Sequence, residues 1–177
     1  MRYLNGLLNC GLVYGRSKRK CDSLLGCVDS DYAGVLDRRR LLARYMFIYN
    51  ECLIIWKVTL QHVVALSTTE AKYIASTEAA KEALWLQGLM SELRMKKKSV
   101  TVYSDSSNDI HLYENPTHHE RTKHIDIKLH FIRNKLSKGA VKMSQVHTDE
   151  NSADILTKVV HSTKFSVCLG LVWLSNL

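Results

Sequence analysis

The sequence lacks the cysteine patterns that form disulfide frameworks or zinc sites. Its five cysteines are odd in number and scattered among 177 residues, with no Cys-x-x-Cys pair. No apolar run approaches the length of a membrane span, and there are no internal repeats. The N-terminus, interrupted by Asn5, Gly6 and Asn9, is a poor signal peptide. These absences predict a protein with reduced thiols inside the cell. We expect it in a cytoplasmic particle or in the nucleus.

Acidic residues are also few relative to basic ones. Lysine and arginine outnumber aspartate and glutamate by 25 to 17, which gives a net charge of +8. Such a balance suits a polyanionic partner, and nucleic acid is the obvious candidate. The runs Arg38-Arg39-Arg40 and Lys96-Lys97-Lys98 could contact phosphates, although solvated surface charge is the alternative interpretation.

The periodicity of apolar residues predicts an α/β domain with a mixed sheet. Three strand patterns come first, and Asn50-Glu51 is the only plausible tight turn between the last two. A long helix follows, with Ala79, Ala83, Leu86, Met90 and Leu93 as its apolar stripe, and alternating strands and helices come after it. Trp56 and Trp85 are expected in the core. The predicted strands are 24–32, 44–49, 52–57, 99–104 and 140–147, and the predicted helices are 68–94, 106–114, 123–137 and one from about 152. We expect a lead-in at 1–22, the domain at 23–160 and a helical tail at 161–177.

The stretch Gly-Cys-Val-Asp-Ser-Asp-Tyr-Ala-Gly at positions 26–34 places two carboxylates in a strand that is otherwise apolar. Alternate residues of a strand share a face, so Asp29 and Asp31 point the same way as Cys27. A buried carboxylate is costly unless it is paired, hydrogen-bonded or bound to a metal ion. A strand interior offers Asp29 no helix to cap, which makes it the first candidate for a functional residue.

Three further carboxylates stand at the ends of predicted elements, and each has a structural explanation of its own. Glu70 fits a capping box with Ser67. Asp105 could cap the helix that follows it, and Asp154 lies near the start of the late helix. If all three approach Asp29, they could hold hard divalent cations, and two such ions can hydrolyse a phosphodiester. Mutual repulsion would then raise the pKa of at least one carboxyl group.

Three segments carry a close resemblance to one family. They are ALSTTEAKYIASTEAAKEALWLQGLMSEL, VTVYSDSSNDIHLYENPTHHERTKHIDIKLHFIR and VHTDENSADILTK. The chain resembles the ribonuclease H domain of copia-type LTR retrotransposon Pol polyproteins, from about Leu4 to Lys164. The resemblance implies a ribonuclease H fold with a five-stranded mixed sheet flanked by helices. It also implies hydrolysis of the RNA strand of RNA/DNA hybrids with two Mg²⁺ ions, or Mn²⁺ in their place.

The family motifs place the catalytic and metal-binding carboxylates at Asp29, Glu70, Asp105 and Asp154. Asp31 is a secondary candidate for the first of these positions. His147 resembles a mobile histidine that some ribonucleases H carry before the last carboxylate, although an exposed histidine is the simpler interpretation. The resemblance also implies partners, namely an RNA/DNA hybrid and the reverse transcriptase and integrase regions of a parent polyprotein.

The sequence departs from the family pattern after the first strand. Where the family has a run like Arg-Arg-Ser-Thr-Ser-Gly-Tyr, this chain has Arg39-Arg40-Leu41-Leu42-Ala43-Arg44-Tyr45. If Arg44 took the positive φ that a glycine allows, the backbone would be strained. Leu41 and Leu42 are expected to form an exposed apolar patch. Two alternatives to an active enzyme therefore stay open. One is a relic that binds nucleic acid without cleaving it, and the other is a fragment that is stable only beside its polyprotein partners.

Overall fold

The computed structural model describes residues 10–12, 14, 23–31, 41–61, 65, 67–95, 100–106, 126–156, 158–171 and 174–176. The strands are β1 (Cys10–Leu12), β2 (Leu24–Asp31), β3 (Leu42–Tyr49), β4 (Cys52–Leu60), β5 (Val100–Ser104), β6 (Val141–Gln145) and β7 (Leu174–Asn176). The α-helices are α1 (Thr68–Glu92), α2 (Asp126–Ser137) and α3 (Ser162–Leu171). Two short 3-10 helices, Thr148–Glu150 and Ser152–Leu156, lie between β6 and α3.

The main sheet has five strands in the order β4-β3-β2-β5-β6. Strands β2, β3 and β4 pair antiparallel in chain order, whereas β5 pairs parallel with both β2 and β6. The predicted mixed sheet flanked by helices is therefore confirmed. Its parallel centre brings the C-terminal ends of β2 and β5 to the same edge, where Asp29 and Asp105 lie.

The hairpin between β3 and β4 turns at Asn50 and Glu51, as predicted. Their φ angles are 50° and 65°, the left-handed values that a two-residue hairpin turn of the type I′ class requires at both positions. Asparagine tolerates this conformation well and glutamate does so poorly, so the turn carries some strain at Glu51.

Helix α1 covers one face of the sheet and buries the main core. Its alanines at 75, 79 and 83 pack with Leu86 against apolar side chains of β2, β3, β5 and β6. A side chain at Gly26 would meet the Phe47 ring, since a Cβ there would lie 2.7 Å from Phe47 Cε1. On the opposite face Cys27, Met46, Ile48 and Leu53 pack against Ala153 of the second 3-10 helix.

Several expectations about packing prove wrong. Trp56 and Trp85, expected in the core, are both more than half exposed. Leu41, expected on the surface, is buried against Ala71 and Ile74 because it lies under the N-terminal half of α1. Leu42, expected to be exposed beside it, is half-buried. The segment from about 152 forms a five-residue 3-10 helix, and the α-helix begins only at Ser162. The predicted helix at 106–114 lies almost wholly outside the described residues.

Outside the main sheet, β1 pairs antiparallel with β7 in a two-stranded ribbon. The ribbon joins residues of the expected lead-in to residues of the expected tail, and the domain boundaries remain a prediction. The cysteines at 27, 52 and 168 are buried, and none of these three forms a disulfide. Of the helices that the structure describes, none combines the length and the apolar character needed to cross a membrane.

Candidate active site

Asp29 lies within β2 with its side chain fully buried. It shares a face of the strand with Cys27, which packs against Ala153. Asn151 holds this part of the chain in place, since its Nδ2 donates to the Val28 carbonyl oxygen at 3.1 Å. The same Asn151 accepts a hydrogen bond from the Ala153 N–H, which begins the 3-10 helix. These contacts bring Asp154, which is also buried, next to Asp29.

A buried arginine joins the two carboxylates. Arg44 stands directly opposite Asp29 in the register of β2 and β3 and is completely buried, with 0% exposure. Its guanidinium donates to Asp29 Oδ2 and lies 3.3 Å from Asp154 Oδ1. Arg44 has an ordinary strand backbone and does not take the positive φ that its place in the family pattern suggested. The expected strain is therefore wrong, and in its place the structure has a buried ion pair.

Two lysines from the C-terminal part of the chain contact the same carboxylates. Lys158 Nζ lies 2.7 Å from Asp29 Oδ2 and 2.6 Å from Asp154 Oδ1. Lys164 Nζ lies 2.6 Å from Asp154 Oδ2. The side chains of Lys158 and Lys164 are 33% and 13% exposed, so both reach the site from its solvent side. Asp154 consequently has cationic partners on both of its oxygens.

Asp105 follows the last residue of β5 and meets a lysine of α1. Lys72 Nζ is 2.7 Å from Asp105 Oδ1 and 3.9 Å from Asp29 Oδ1. Because Lys72 reaches both carboxylates, it connects the end of β5 with the end of β2. Its side chain is 25% exposed. Three of the four predicted carboxylates are thus gathered at one edge of the sheet.

Glu70 lies in the first turn of α1, two residues before Lys72, and is buried. The predicted cap at this helix is confirmed, since Ser67 Oγ accepts a hydrogen bond from the Glu70 N–H at 3.1 Å. A carboxylate in the first turn also interacts favourably with the helix dipole. Glu70 therefore has a structural role as a first-turn residue, and its place in the site stays a prediction.

The cationic partners change the ionisation of the site. Burial alone would raise the pKa of Asp29, but hydrogen bonding with Asp154, Arg44 and Lys158 outweighs it and lowers the pKa to about 2. For Lys158, burial acts to lower the pKa, and its hydrogen bonds to the two carboxylates raise it overall. The expectation that repulsion would raise the pKa applied to bare carboxylates. It is wrong for Asp29, whose pKa is lowered by the hydrogen bond with Asp154 and by the cationic side chains of Arg44 and Lys158.

The two remaining candidates are His147, which lies apart from this cluster, and Asp31, whose side chain is outside the described part of the structure. His147 is largely exposed, and its Nδ1 accepts a hydrogen bond from the Asp149 N–H at 3.3 Å, so it caps the first 3-10 helix. Asp31 ends β2 opposite Leu42, and its side chain is not among those described.

The carboxylate oxygens of the site are chemically suited to bind a divalent cation, but their present contacts are not. Carboxylate oxygens are the ligands that Mg²⁺ prefers, and Asp29 Oδ1 is a buried oxygen to which no group of the described residues donates a hydrogen bond. Against this, Asp29 Oδ2 and both oxygens of Asp154 already contact cationic groups. Within the described part of the chain, no three His, Cys, Asp or Glu side chains are grouped to hold a metal ion. As arranged, these residues do not fit the ions that the resemblance implies.

Comparison with known proteins finds similar sequences in transposon polyproteins. The chain is 43% identical over 173 residues to the retrovirus-related Pol polyprotein from transposon TNT 1-94 of Nicotiana tabacum. The aligned region covers 97% of this chain and 13% of the relative. It is 34% identical over 166 residues to the corresponding polyprotein from transposon RE1 of Arabidopsis thaliana, covering 93% of this chain and 11% of that relative. The chain therefore spans about an eighth of the length of these curated relatives. No family model matches the sequence.

Solved structures identify the fold. LC11-RNase H1, isolated from compost by a metagenomic approach, superposes with a TM-score of 0.54 at 15% identity over 76% of this chain and 92% of that one. A crystal structure of LC11-RNase H1 in complex with an RNA/DNA hybrid gives the same TM-score at 12% identity, covering 76% of this chain and 93% of that one. At such low identity the likeness establishes the fold alone. The chain is thus a homologue of one segment of the retrovirus-related Pol polyproteins of transposons, and it has the ribonuclease H fold.

Proposed function

We propose that this chain is a ribonuclease H domain of a transposon Pol polyprotein and acts on the RNA strand of RNA/DNA hybrids. The observation that carries the proposal is the meeting of Asp29, Asp105 and Asp154 at one edge of a ribonuclease H sheet. These residues are far apart in the sequence, and each is joined to another through a shared cationic side chain. Helix capping explains none of these contacts.

The proposed reaction is hydrolysis of an RNA phosphodiester. A water oxygen forms a bond to phosphorus, the bond from phosphorus to the 3′ oxygen breaks, and that oxygen leaves with a proton as a 3′-hydroxyl. Asp29, Glu70, Asp105 and Asp154 are the residues proposed to carry this chemistry. In its finer form, the proposal assigns them two Mg²⁺ or Mn²⁺ ions, for which the carboxylates must first be released from their cationic partners.

The lysines around the carboxylates provide a way to hold the substrate. Lys72, Lys158 and Lys164 each have solvent access, so a phosphate arriving at this edge could take them from the carboxylates. The net charge of +8 favours a polyanion in general. Selectivity for hybrids would come from contacts to 2′-hydroxyl groups, which distinguish RNA from DNA. The proposed setting is intracellular, beside the reverse transcriptase and integrase regions of the parent polyprotein.

A second candidate function is hybrid binding without cleavage. The specific observation in its favour is the buried Arg44, which contacts both Asp29 and Asp154. A domain whose carboxylates are neutralised in this way would retain its basic surface and its substrate preference while losing the reaction.

The test compares binding and cleavage on the same purified protein. Labelled RNA/DNA hybrid, RNA/RNA duplex and DNA/DNA duplex are titrated with the chain in EDTA, and cleavage is then measured in Mg²⁺ and in Mn²⁺. We expect preferential binding of the hybrid. If cleavage occurs, Asp105→Asn should abolish it, because the amide keeps the size of the carboxylate and removes its charge.

Asp149→Asn is the matched control, since Asp149 is exposed and lies outside the cluster. Cleavage that survives Asp105→Asn would indicate a contaminating nuclease. Equal affinity for all three duplexes would contradict the proposed substrate.

A further inference from the structure

We propose that Arg44 is a built-in cation that occupies the Asp29 and Asp154 side of the site and closes this copy of the domain to divalent metal ions. The inference rests on the proposed function in one respect, because it assumes that the carboxylates would otherwise bind such ions. It goes beyond that function by naming the residue that prevents the binding.

The contacts of Arg44 place it where a bridging ion would need its ligands. Its guanidinium interacts with one oxygen of Asp29 and one oxygen of Asp154, which come from distant parts of the chain. An ion that bridged these two carboxylates through the oxygens facing Arg44, Asp29 Oδ2 and Asp154 Oδ1, would need the oxygens that the guanidinium already contacts. Arg44 thus competes for the ligands themselves and adds a positive charge beside any ion that arrives.

Burial distinguishes Arg44 from the three lysines. The lysines have partly exposed side chains on flexible stems, so an incoming ion or phosphate can displace them toward solvent. Arg44 has no exposed surface and stands in the middle of β3, between β2 and β4. Its guanidinium cannot leave the carboxylates without opening the sheet or burying an unpaired charge.

The charge balance leads to the same conclusion. The carboxylates of Asp29, Asp105 and Asp154 are contacted by four cationic side chains, and even with Glu70 included the group is neutral before an ion enters. Displacing the lysines restores negative charge at Asp105, whereas Asp29 and Asp154 still share the charge of Arg44.

Titration with Mn²⁺, followed through the electron paramagnetic resonance signal of the free ion, measures binding without relying on activity. Arg44→Gln keeps a polar side chain and removes the charge, and Arg44→Gly removes the side chain altogether. Relative to the unmodified protein, we expect both to bind Mn²⁺ more tightly by about tenfold or more. Arg44→Lys retains the charge and should bind as weakly as the unmodified protein.

Lys81→Gln is the matched control, since it removes one positive charge from the exposed surface of α1. Improved binding in this variant would attribute the effect to net charge and overturn the proposal. So would folded Arg44→Gln and Arg44→Gly proteins that bind no more tightly than the unmodified one. Circular dichroism establishes whether the variants are folded.

A second comparison tests whether Arg44 excludes the ion even if Arg44→Gln and Arg44→Gly both unfold. In a chain that keeps Arg44, Asp29→Asn should leave Mn²⁺ binding unchanged, because Arg44 already excludes the ion from that carboxylate. Loss of Mn²⁺ binding in Asp29→Asn would show that the site is open and would overturn the proposal.

Hybrid binding in EDTA separates this inference from the proposed function. If Arg44→Gln gains Mn²⁺ binding and the chain still does not prefer hybrids, the role of Arg44 stands and the substrate assignment fails. If hybrids are preferred and the unmodified protein binds Mn²⁺ as tightly as Arg44→Gln, the substrate assignment stands and the role of Arg44 fails. Cleavage gained by Arg44→Gln would support both.

Discussion

Asp29 and Asp154 meet the guanidinium of a fully buried arginine, whereas Asp105 meets the ammonium group of a lysine whose side chain is a quarter exposed. The two ion pairs lie at the same edge of one sheet and are connected through Lys72. They differ in what surrounds them. Arg44 is enclosed by protein, and Lys72 borders solvent.

This difference in burial distinguishes a cation that stabilises the fold from one that solvent or a ligand can replace. A solvent-facing pair contributes little to stability, because water can replace either partner. Breaking a buried pair leaves a charge with neither water nor counter-ion. The Arg44 side should therefore respond strongly to mutation and weakly to salt, and the Lys72 side should do the reverse.

The largest effect is expected from removing the buried cation. Arg44→Met removes the fully buried cation shared by Asp29 and Asp154 and leaves Lys158 as the nearest cation to Asp29, so it should lower the free energy of unfolding by about 3 kcal/mol. Lys72→Met, the same change on the solvent side, should lower it by less than about 1 kcal/mol. Urea unfolding in EDTA measures both. Similar losses for the two variants would show that burial does not distinguish the pairs.

A smaller effect is expected from neutralising the carboxylate. The pKa of Asp29, lowered to about 2, means that its ionised form stabilises the fold by about 2 kcal/mol at neutral pH. Asp29→Asn should therefore destabilise the protein, the opposite of what repulsion between bare carboxylates would give.

The pH dependence of this loss follows from the sign of the shift. A lowered pKa stabilises the fold fully above the pKa of the unfolded state, about 4, and the contribution disappears as pH falls through about 2. The difference between the unmodified protein and Asp29→Asn should thus be smaller at pH about 3 than at pH about 6. Asp149→Asn, on an exposed residue, provides the baseline. A difference that stays constant over this range would assign the destabilisation to lost packing.

The smallest effect is the response to salt. Raising NaCl from about 0.05 to about 0.5 M shortens the range of electrostatic interactions several-fold. The loss in Lys72→Met should shrink toward zero, and the loss in Arg44→Met should hardly change. Parallel urea titrations at the two salt concentrations provide the measurement. An equal salt dependence in both variants would place Arg44 in contact with solvent.

Local patterns in the sequence were sufficient for much of the fold. Of the predicted apolar stripe of the long helix, Ala79, Ala83 and Leu86 are buried and Met90 is partly buried, whereas Leu93, just after the end of α1, is 64% exposed. Asn50-Glu51 was the only turn candidate between two apolar runs, and it is the turn. Trp85 shows the limit of such patterns, because hydrophobicity alone suggested burial and the side chain lies on the outer surface of the helix.

The arginine in the site could not be predicted without the register of the strands. The apolar pattern does not identify the face of Arg44, since residues 43–48 of β3 are buried on both sides of the sheet. An ion pair is suggested by two opposite charges in apolar strands, Asp29 in β2 and Arg44 in β3. That they stand directly opposite each other follows only from the pairing of β2 with β3. The approach of Asp154 depends on Asn151, whose long-range hydrogen bond leaves no local signal.

The ribbon of β1 and β7 has a mechanical consequence. Cys10 pairs with Asn176 and Leu12 with Leu174, so the start of β1 and the end of β7 lie at the same end of the ribbon. Tension applied through residues before β1 and after β7 would separate these pairs one after another, as a zipper opens. Such a geometry yields at low force, because each step breaks one pairing at a time. The ribbon would therefore peel open and lengthen the chain before the pull reached the five-stranded sheet and its buried ion pair.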